Sequence, residues 1–215
     1  MGVFQMVAQY PGEKEMKVKA SLPVLAFQGE TLSPVLEAYF EINHLKQLYR
    51  QGWLKRGIPP EQCESVAEHV FGMAMLAWWL IDRHDFAVDA AKVARMVLIH
   101  EIGEVYTGDL TPSDHVSVAE KHRRERTALE KILQKLSRAQ DYIALWEEYE
   151  RNETAEARLV RQIDRLEMAL QALIYERQAQ GDMIEFFQSA GRAISDEPLR
   201  TLFAEATALR ARDLP

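Results

Sequence analysis

Leu98-Ile99-His100-Glu101-Ile102-Gly103-Glu104, continued by Val105-Tyr106-Thr107-Gly108-Asp109, sets an imidazole and two carboxylates at the end of an otherwise apolar helix. Upstream, Val93, Ala94, Met96, Val97 and Leu98 leave almost no polar face between Asp89 and Leu98, which predicts a helix running through the core. If that helix continues, His100 and Glu104 stand at i and i+4 on one face, with Glu101 one step around. Buried groups of this kind require a partner, and a divalent cation satisfies all three together.

Outward from this stretch the pattern is helical. On the N-terminal side, Ser65-Val66-Ala67-Glu68 is a capping box opening a helix to about Asp82. His69 lies in its first turn, and Val66, Val70, Met73, Ala74, Ala77, Trp78 and Ile81 share one broad apolar face. The segment from Gln51 to Glu64, with Pro59-Pro60, reads as a loop. Before it, Ser33-Pro34 is an N-cap followed by proline at N1, predicting a helix to about Arg50 with Leu36, Phe40, His44 or Leu45, and Leu48 as its stripe. Residues 1–32 form an N-terminal extension. Partial alternation in Val3–Gln9 and Lys17–Leu22 around Tyr10-Pro11-Gly12-Glu13 leaves two readings, a short β-hairpin or a loosely ordered arm.

On the C-terminal side, a loop from Val105 to Asp114 precedes a second capping box, Ser117-Val118-Ala119-Glu120, whose helix runs to about Leu136. A shorter helix carries Tyr142, Leu145, Trp146 and Tyr149. The longest helix is expected from about Thr154 to Gln180, stopped by Gly181, with Val160, Ile163, Leu166, Leu170, Leu173 and Ile174 inward. Asp164 falls on that same side. Two more helices, near Asp182–Ala190 and Pro198–Arg210, finish the chain. With no repeat, low-complexity tract or linker, residues 33–215 read as one all-α domain.

Composition narrows the function classes. The 215 residues are 47% hydrophobic and carry a net charge of −7, with no basic stripe interleaved with aromatics, which excludes a nucleic-acid polymer as the expected partner. A small anion stays open, because a metal and a few local cations override a screened long-range field. No apolar run approaches the roughly 18 residues of a membrane span. The single cysteine, Cys63, makes no internal disulfide, so a reducing, cytoplasmic setting is expected.

Four candidate ligands come from three helices: His69, His100 with Glu101, and Asp164. Imidazole with carboxylate oxygen suits one divalent ion among Mn, Co, Fe, Zn, Ni or Mg, the transition metals more than Mg alone. Each residue also has a structural alternative. A histidine on an apolar face is often a hydrogen-bonded core residue, Glu68 serves the capping box, and Asp164 could pair with an arginine such as Arg95.

The order Glu68-His69, then His100-Glu101-Ile102-Gly103-Glu104 with Thr107-Gly108-Asp109, then Gln162-Ile163-Asp164 resembles the HD-domain phosphohydrolases. It is most similar to their 5′-deoxynucleotidase branch over roughly residues 35–208. Gly52-Trp53-Leu54-Lys55-Arg56, Glu120-Lys121-His122-Arg123-Arg124-Glu125 and Leu145-Trp146-Glu147-Glu148-Tyr149-Glu150 carry the resemblance to that branch. It implies an HD-type helical bundle, likewise a homodimer, and hydrolysis of deoxynucleoside 5′-monophosphates by a metal-activated water. Position by position, the resemblance implies that His69, His100, Glu101 and Asp164 hold the metal. Glu104 orients or deprotonates the water, and Asp109 contacts the sugar or a nearby water. Arg56, then Lys121 and Arg124, grip the phosphate, and Trp53 stands near the sugar. Trp79 and Trp146 are surplus aromatics available to an interface.

The chain departs from the family in its doublet, His100-Glu101 where His-Asp is usual, and the added methylene moves the carboxylate by more than the roughly 0.2 Å tolerance of a ligand distance. The loop before His69 is two residues longer than usual, and Gly52 stands where some members have arginine. Alternatives follow. A phosphodiesterase or nucleoside-triphosphate hydrolase uses the same scaffold, and a non-catalytic metal- or nucleotide-binding protein accounts for a drifted doublet. A metalloprotease helix would need a second histidine at i+4, where Glu104 stands.

Overall fold

The computed structural model describes residues 16–178 and 181–212. The described residues form ten α-helices: α1 (Pro34–Ile42), α2 (Gln51–Lys55), α3 (Val66–Arg83), α4 (Ala90–Ile99), α5 (Glu104–Thr107), α6 (Val118–Leu133), α7 (Ala139–Arg151), α8 (Ala155–Arg177), α9 (Ile184–Ala193) and α10 (Glu197–Arg212). Three short 3-10 turns, Pro23–Phe27, Asn43–Lys46 and Pro112–Asp114, accompany them. Pairing between extended segments among the described residues is limited to two isolated antiparallel bridges, Val18 with Leu48 and Tyr49 with Ser65. The all-α expectation holds. The first arm of the expected hairpin lies outside the described residues; in its second arm, Val18 bridges to Leu48.

The described chain falls into two compact units. The first comprises the residues up to Lys55, Pro59–Glu68 and Ile99–Trp146; the second comprises Arg56–Ile58, His69–Leu98 and the residues from Glu147 onward. In the first unit, Ser33 caps α1 by accepting the Leu36 N–H, with Pro34 in the first turn. The helix stops at Ile42, short of the expected Arg50. The reason is backbone competition: Arg50 N–H donates to Glu64 O at 3.0 Å and Val66 N–H to Leu48 O at 2.9 Å, which draws 48–50 out of helical register. Five residues of the expected loop then wind into α2, a helix too short to be read from periodicity.

The capping box opening α3 is present in full, with Ser65 N–H donating to Glu68 Oε2 at 2.6 Å and Glu68 N–H to Ser65 Oγ at 3.3 Å. Ser117 caps α6 in the same way, accepting from Glu120 N–H at 3.2 Å, but the Glu120 carboxylate turns to Arg123 and Arg124 instead. The core of this unit gathers Leu48, Val66, Ile99, Leu129, Ile132 and Trp146. Trp146, read from sequence as a candidate interface residue, is buried there, its indole N–H donating to His100 O at 3.2 Å.

The second unit is organised on α8, against which α9 and α10 pack. Thr154 caps it, and Leu159, Val160, Ile163, Leu166 and Ala169 are fully buried along one side. Ile174, expected inward, is exposed because the stripe has rotated off the packed face by the last turn. On α3, Met73 and Ala77 are buried while Trp78 and Trp79 are exposed, so its apolar face is narrower than the sequence suggests. Leu98 likewise faces outward, whereas Val93, Met96 and Val97 are fully buried.

His44, in the 3-10 turn after α1, is buried and its Nδ1 has no hydrogen-bond partner among the described residues. Burial lowers its pKa to about 4 from 6.5. A depressed histidine contributes stability that is full above the unfolded value and is lost as pH falls through the folded one. The urea midpoint of the native protein is expected to fall more steeply between pH 6.5 and 4 than that of His44→Gln; parallel curves would refute the assignment.

Candidate active site

The central sequence motif does not continue as one α-helix. α4 ends at Ile99, and the next residues turn more tightly, with Ile102 N–H on Ile99 O at 3.1 Å, Glu104 N–H on Glu101 O at 3.0 Å and Val105 N–H on Ile102 O at 3.2 Å. His100 and Glu104 are therefore not i, i+4 partners on a single α-helical face, as the periodicity implied. The turn packs closely at Gly103: a Cβ built there would stand 2.8 Å from Glu125 Cβ and 2.9 Å from Glu125 O, so α6 runs directly against it. Glu104 is the first residue of α5, whose leading N–H groups, those of Glu104, Val105 and Tyr106, already donate to the carbonyls of Glu101, Ile102 and Gly103.

His100, Glu104 and Asp109 are buried in the first unit. Glu101 Oε1 lies 3.4 Å from His100 Nε2 and 3.5 Å from Arg50 Nη1. Asp109 follows Gly108, whose φ of 73° belongs to the left-handed region, and accepts the Gln51 N–H at 2.6 Å. Arg50 reaches Asp109 as well, at 3.5 Å. Lys121 pairs with Glu125 at 3.3 Å and is held protonated by Glu125, Glu104, Glu101 and Asp109, against its burial.

These surroundings push two neighbouring carboxyls apart. Burial disfavours ionisation of Glu101, yet His100, Arg50 and Lys121 together hold it well below the usual carboxylate range. Glu104 moves the other way, raised well above that range by burial and by the charges of Glu101 and Asp109. One ionised and one proton-holding carboxylate side by side is the arrangement general acid-base chemistry uses.

In the second unit, α3 presents His69, fully buried, toward α8. Its Nδ1 lies 2.5 Å from Glu167 Oε2 and its Nε2 3.3 Å from Asp164 Oδ1. Asp164 is also 3.7 Å from Arg165 Nε. Arg95, considered from sequence as a partner for Asp164, instead donates to Ala91 O on its own helix.

The remaining candidates sit less directly. Trp53 is buried with its indole N–H on Glu64 at 2.7 Å, and Arg124 donates to Glu120 at 2.6 Å. Arg56 belongs to the second unit, where it pairs with Glu185. Sequence reasoning missed Arg50 and Gln51, which carry no local signal because their role depends on where the 48–51 backbone pairs. It also missed Glu167, whose signal was available: Asp164 and Glu167 stand at i and i+3 on one helical face.

These residues fit a divalent ion. Glu104 Oε2 is buried without a hydrogen-bond partner among the described residues, and they include a His/Glu cluster that could hold a metal. The HD domain family model matches residues 42–205. The chain belongs to the HD domain family. HD domains bind divalent metals.

Curated relatives of this HD-domain chain include the human 5′-deoxynucleotidase HDDC2, 32% identical across 91% of this chain and 95% of the human protein. The 5′-deoxynucleotidase YGK1 of Saccharomyces cerevisiae is 32% identical across 73% of this chain and 74% of its own length. Among solved structures, the PH0347 protein of Pyrococcus horikoshii superposes with a TM-score of 0.68 at 27% identity, covering 81% of this chain and 99% of that one. A protein of Magnetospirillum magnetotacticum described as a predicted metal-dependent phosphohydrolase gives 0.63 at 32% identity over 85% of this chain and 97% of that one.

Gly103→Ala is expected to destabilise the protein by about 1–3 kcal/mol, since the new methyl meets helix backbone and not a yielding side chain. A urea midpoint equal to that of the native protein would show that α6 does not constrain the turn.

Proposed function

We propose that this protein is a metal-dependent phosphomonoesterase that hydrolyses deoxynucleoside 5′-monophosphates to nucleoside and phosphate. Glu104 carries the reading: its carboxyl is buried in the same unit as His100 and Glu101, with Oε2 lacking a hydrogen-bond partner among the described residues, which is the placement of a base or water-orienting group. Relatives named 5′-deoxynucleotidases, matched over most of the chain, supply the substrate class.

In this reading His69, His100, Glu101 and Asp164 hold one divalent ion. The chemistry of the donor set supports this: two imidazoles and two carboxylates suit one divalent ion. When bound, such an ion neutralises phosphoryl charge and acidifies a water molecule. Glu104 would orient a water molecule and accept its proton at the carboxylate, and Asp109, held by Gln51 N–H and Arg50, would contact the sugar or a nearby water. Lys121 and Arg50 are the cations nearest these carboxylates and are assigned to the phosphate. Arg56 and Arg124, here paired with Glu185 and Glu120, are the further candidates for the phosphate, and Trp53, buried with its indole N–H on Glu64, is assigned to the sugar.

Glu101 supports one second reading, a binding protein whose doublet has drifted, because glutamate needs a different rotamer from aspartate to reach the same ion. We also place the protein in the cytoplasm as a homodimer. The support is its single buried cysteine and the exposed Phe71, Trp78 and Trp79 of α3, and sedimentation tests the dimer.

The deciding assay measures phosphate release from deoxy- and ribonucleoside 5′-monophosphates, with metal-stripped protein resupplied separately with Mn, Co, Mg and Zn. Activity is expected with at least one metal, with a preference for deoxynucleotides and a kcat about 10²–10⁴-fold lower in Glu104→Gln. Metal uptake without turnover under every combination, with Glu101→Asp gaining activity, would replace the enzyme by the drifted binding protein.

A further inference from the structure

Both ring nitrogens of His69 face a carboxylate of α8, and the two carboxylates belong to residues three apart, so they share a helix face. An ionised carboxylate only accepts hydrogen bonds. At 2.5 Å from Glu167 Oε2, Nδ1 is therefore the nitrogen that carries the proton, and Nε2, on the Asp164 side, keeps the lone pair. The ring is fully buried and Glu167 nearly so, which leaves this carboxylate little freedom to exchange its partner for water.

The opposite wall of this contact is Gly72, one turn beyond His69 on α3. A Cβ placed there would lie 2.7 Å from Glu167 Oε1 and 3.3 Å from its Cγ. Glycine is unfavourable inside a helix relative to alanine, and here its missing side chain is the space the carboxylate occupies. One helix thus supplies an imidazole and, a turn later, the gap for the group that grips it.

We propose that Glu167 is a positioning residue for the metal site, fixing the tautomer and orientation of His69 so that Nε2 is the ligand, with Gly72 as the clearance that makes this possible. The proposal rests on the assignment of His69 as a metal ligand. A carboxylate on the far N–H of a ligating histidine raises its basicity and holds its plane, and losing such a partner typically weakens metal binding about 10–100-fold.

The test uses the full-length protein, stripped of metal and titrated with Mn(II) by calorimetry, together with histidine ¹⁵N spectra of the Zn(II)-loaded form. The native protein is expected to bind one equivalent, with His69 protonated at Nδ1 and ligating through Nε2. Glu167→Ala should bind Mn(II) about 10–100-fold more weakly and lose the slowly exchanging Nδ1 proton. Glu167→Gln, which keeps an acceptor oxygen, should retain that proton and fall between the two. Gly72→Ala should weaken binding as Glu167→Ala does, and the double variant should be no weaker than Glu167→Ala alone, because the methyl then displaces nothing.

Wild-type affinity in Glu167→Ala and Gly72→Ala, with only folding stability reduced, would overturn the positioning role, as would ligation through Nδ1 or additive losses in the double variant. If Glu167→Ala does not fold, Glu167→Gln and Gly72→Ala decide by the same readouts. A native protein that takes up neither ion would instead overturn the metal assignment beneath the proposal.

Discussion

Charge taken out of water governs the site of this protein. A carboxylate buried without compensation is far too costly to persist, so each one must meet a cation, a set of hydrogen-bond donors, or a proton. Each of the three remedies appears in the first unit. Glu101 lies beside Arg50 and His100, Asp109 takes a backbone N–H and Arg50, and Glu104 is left to hold a proton or await a cation. Lys121 draws its charge from the same group of acids that it neutralises.

A second constraint is proximity of backbone. Gly103 permits α6 to lie against the turn that carries His100 and Glu101, and Gly72 leaves room for a carboxylate against α3. Neither glycine needs an unusual φ for its role, since the left-handed positions among the described glycines are Gly29, Gly57, Gly108 and Gly181. Both act through the volume they do not fill. Small residues beside chemically active ones are in this sense part of the site, although they contribute no functional group.

The helices were legible wherever a cap and an apolar period coincided. Ser33, Ser65, Ser117 and Thr154 each open a helix where the sequence places one, and α8 buries Val160, Ile163 and Leu166 as its periodicity requires. Periodicity failed where tertiary contacts overrode it. The 48–50 backbone leaves the α1 register to pair with 64–66, and the His100–Gly103 turn breaks a run that the residue pattern continues. Exposed Trp78 and Ile174, and buried Trp146, show that hydrophobicity alone does not say which side of a helix meets a neighbour.

By itself the sequence determined the all-α class, the helix starts, and the short catalogue of groups capable of metal and phosphate chemistry, because caps, heptad-like spacing and side-chain chemistry are local properties. Tertiary structure decided which of those groups are partnered and by what. Arg50 turns to Glu101 and Asp109 while Arg56 turns to Glu185, and His69 offers one nitrogen to Glu167 and the other to Asp164. The physical reason is that burial and charge pairing depend on residues up to about a hundred positions away, as His69 and Glu167 are, and spacing along the chain carries no record of them.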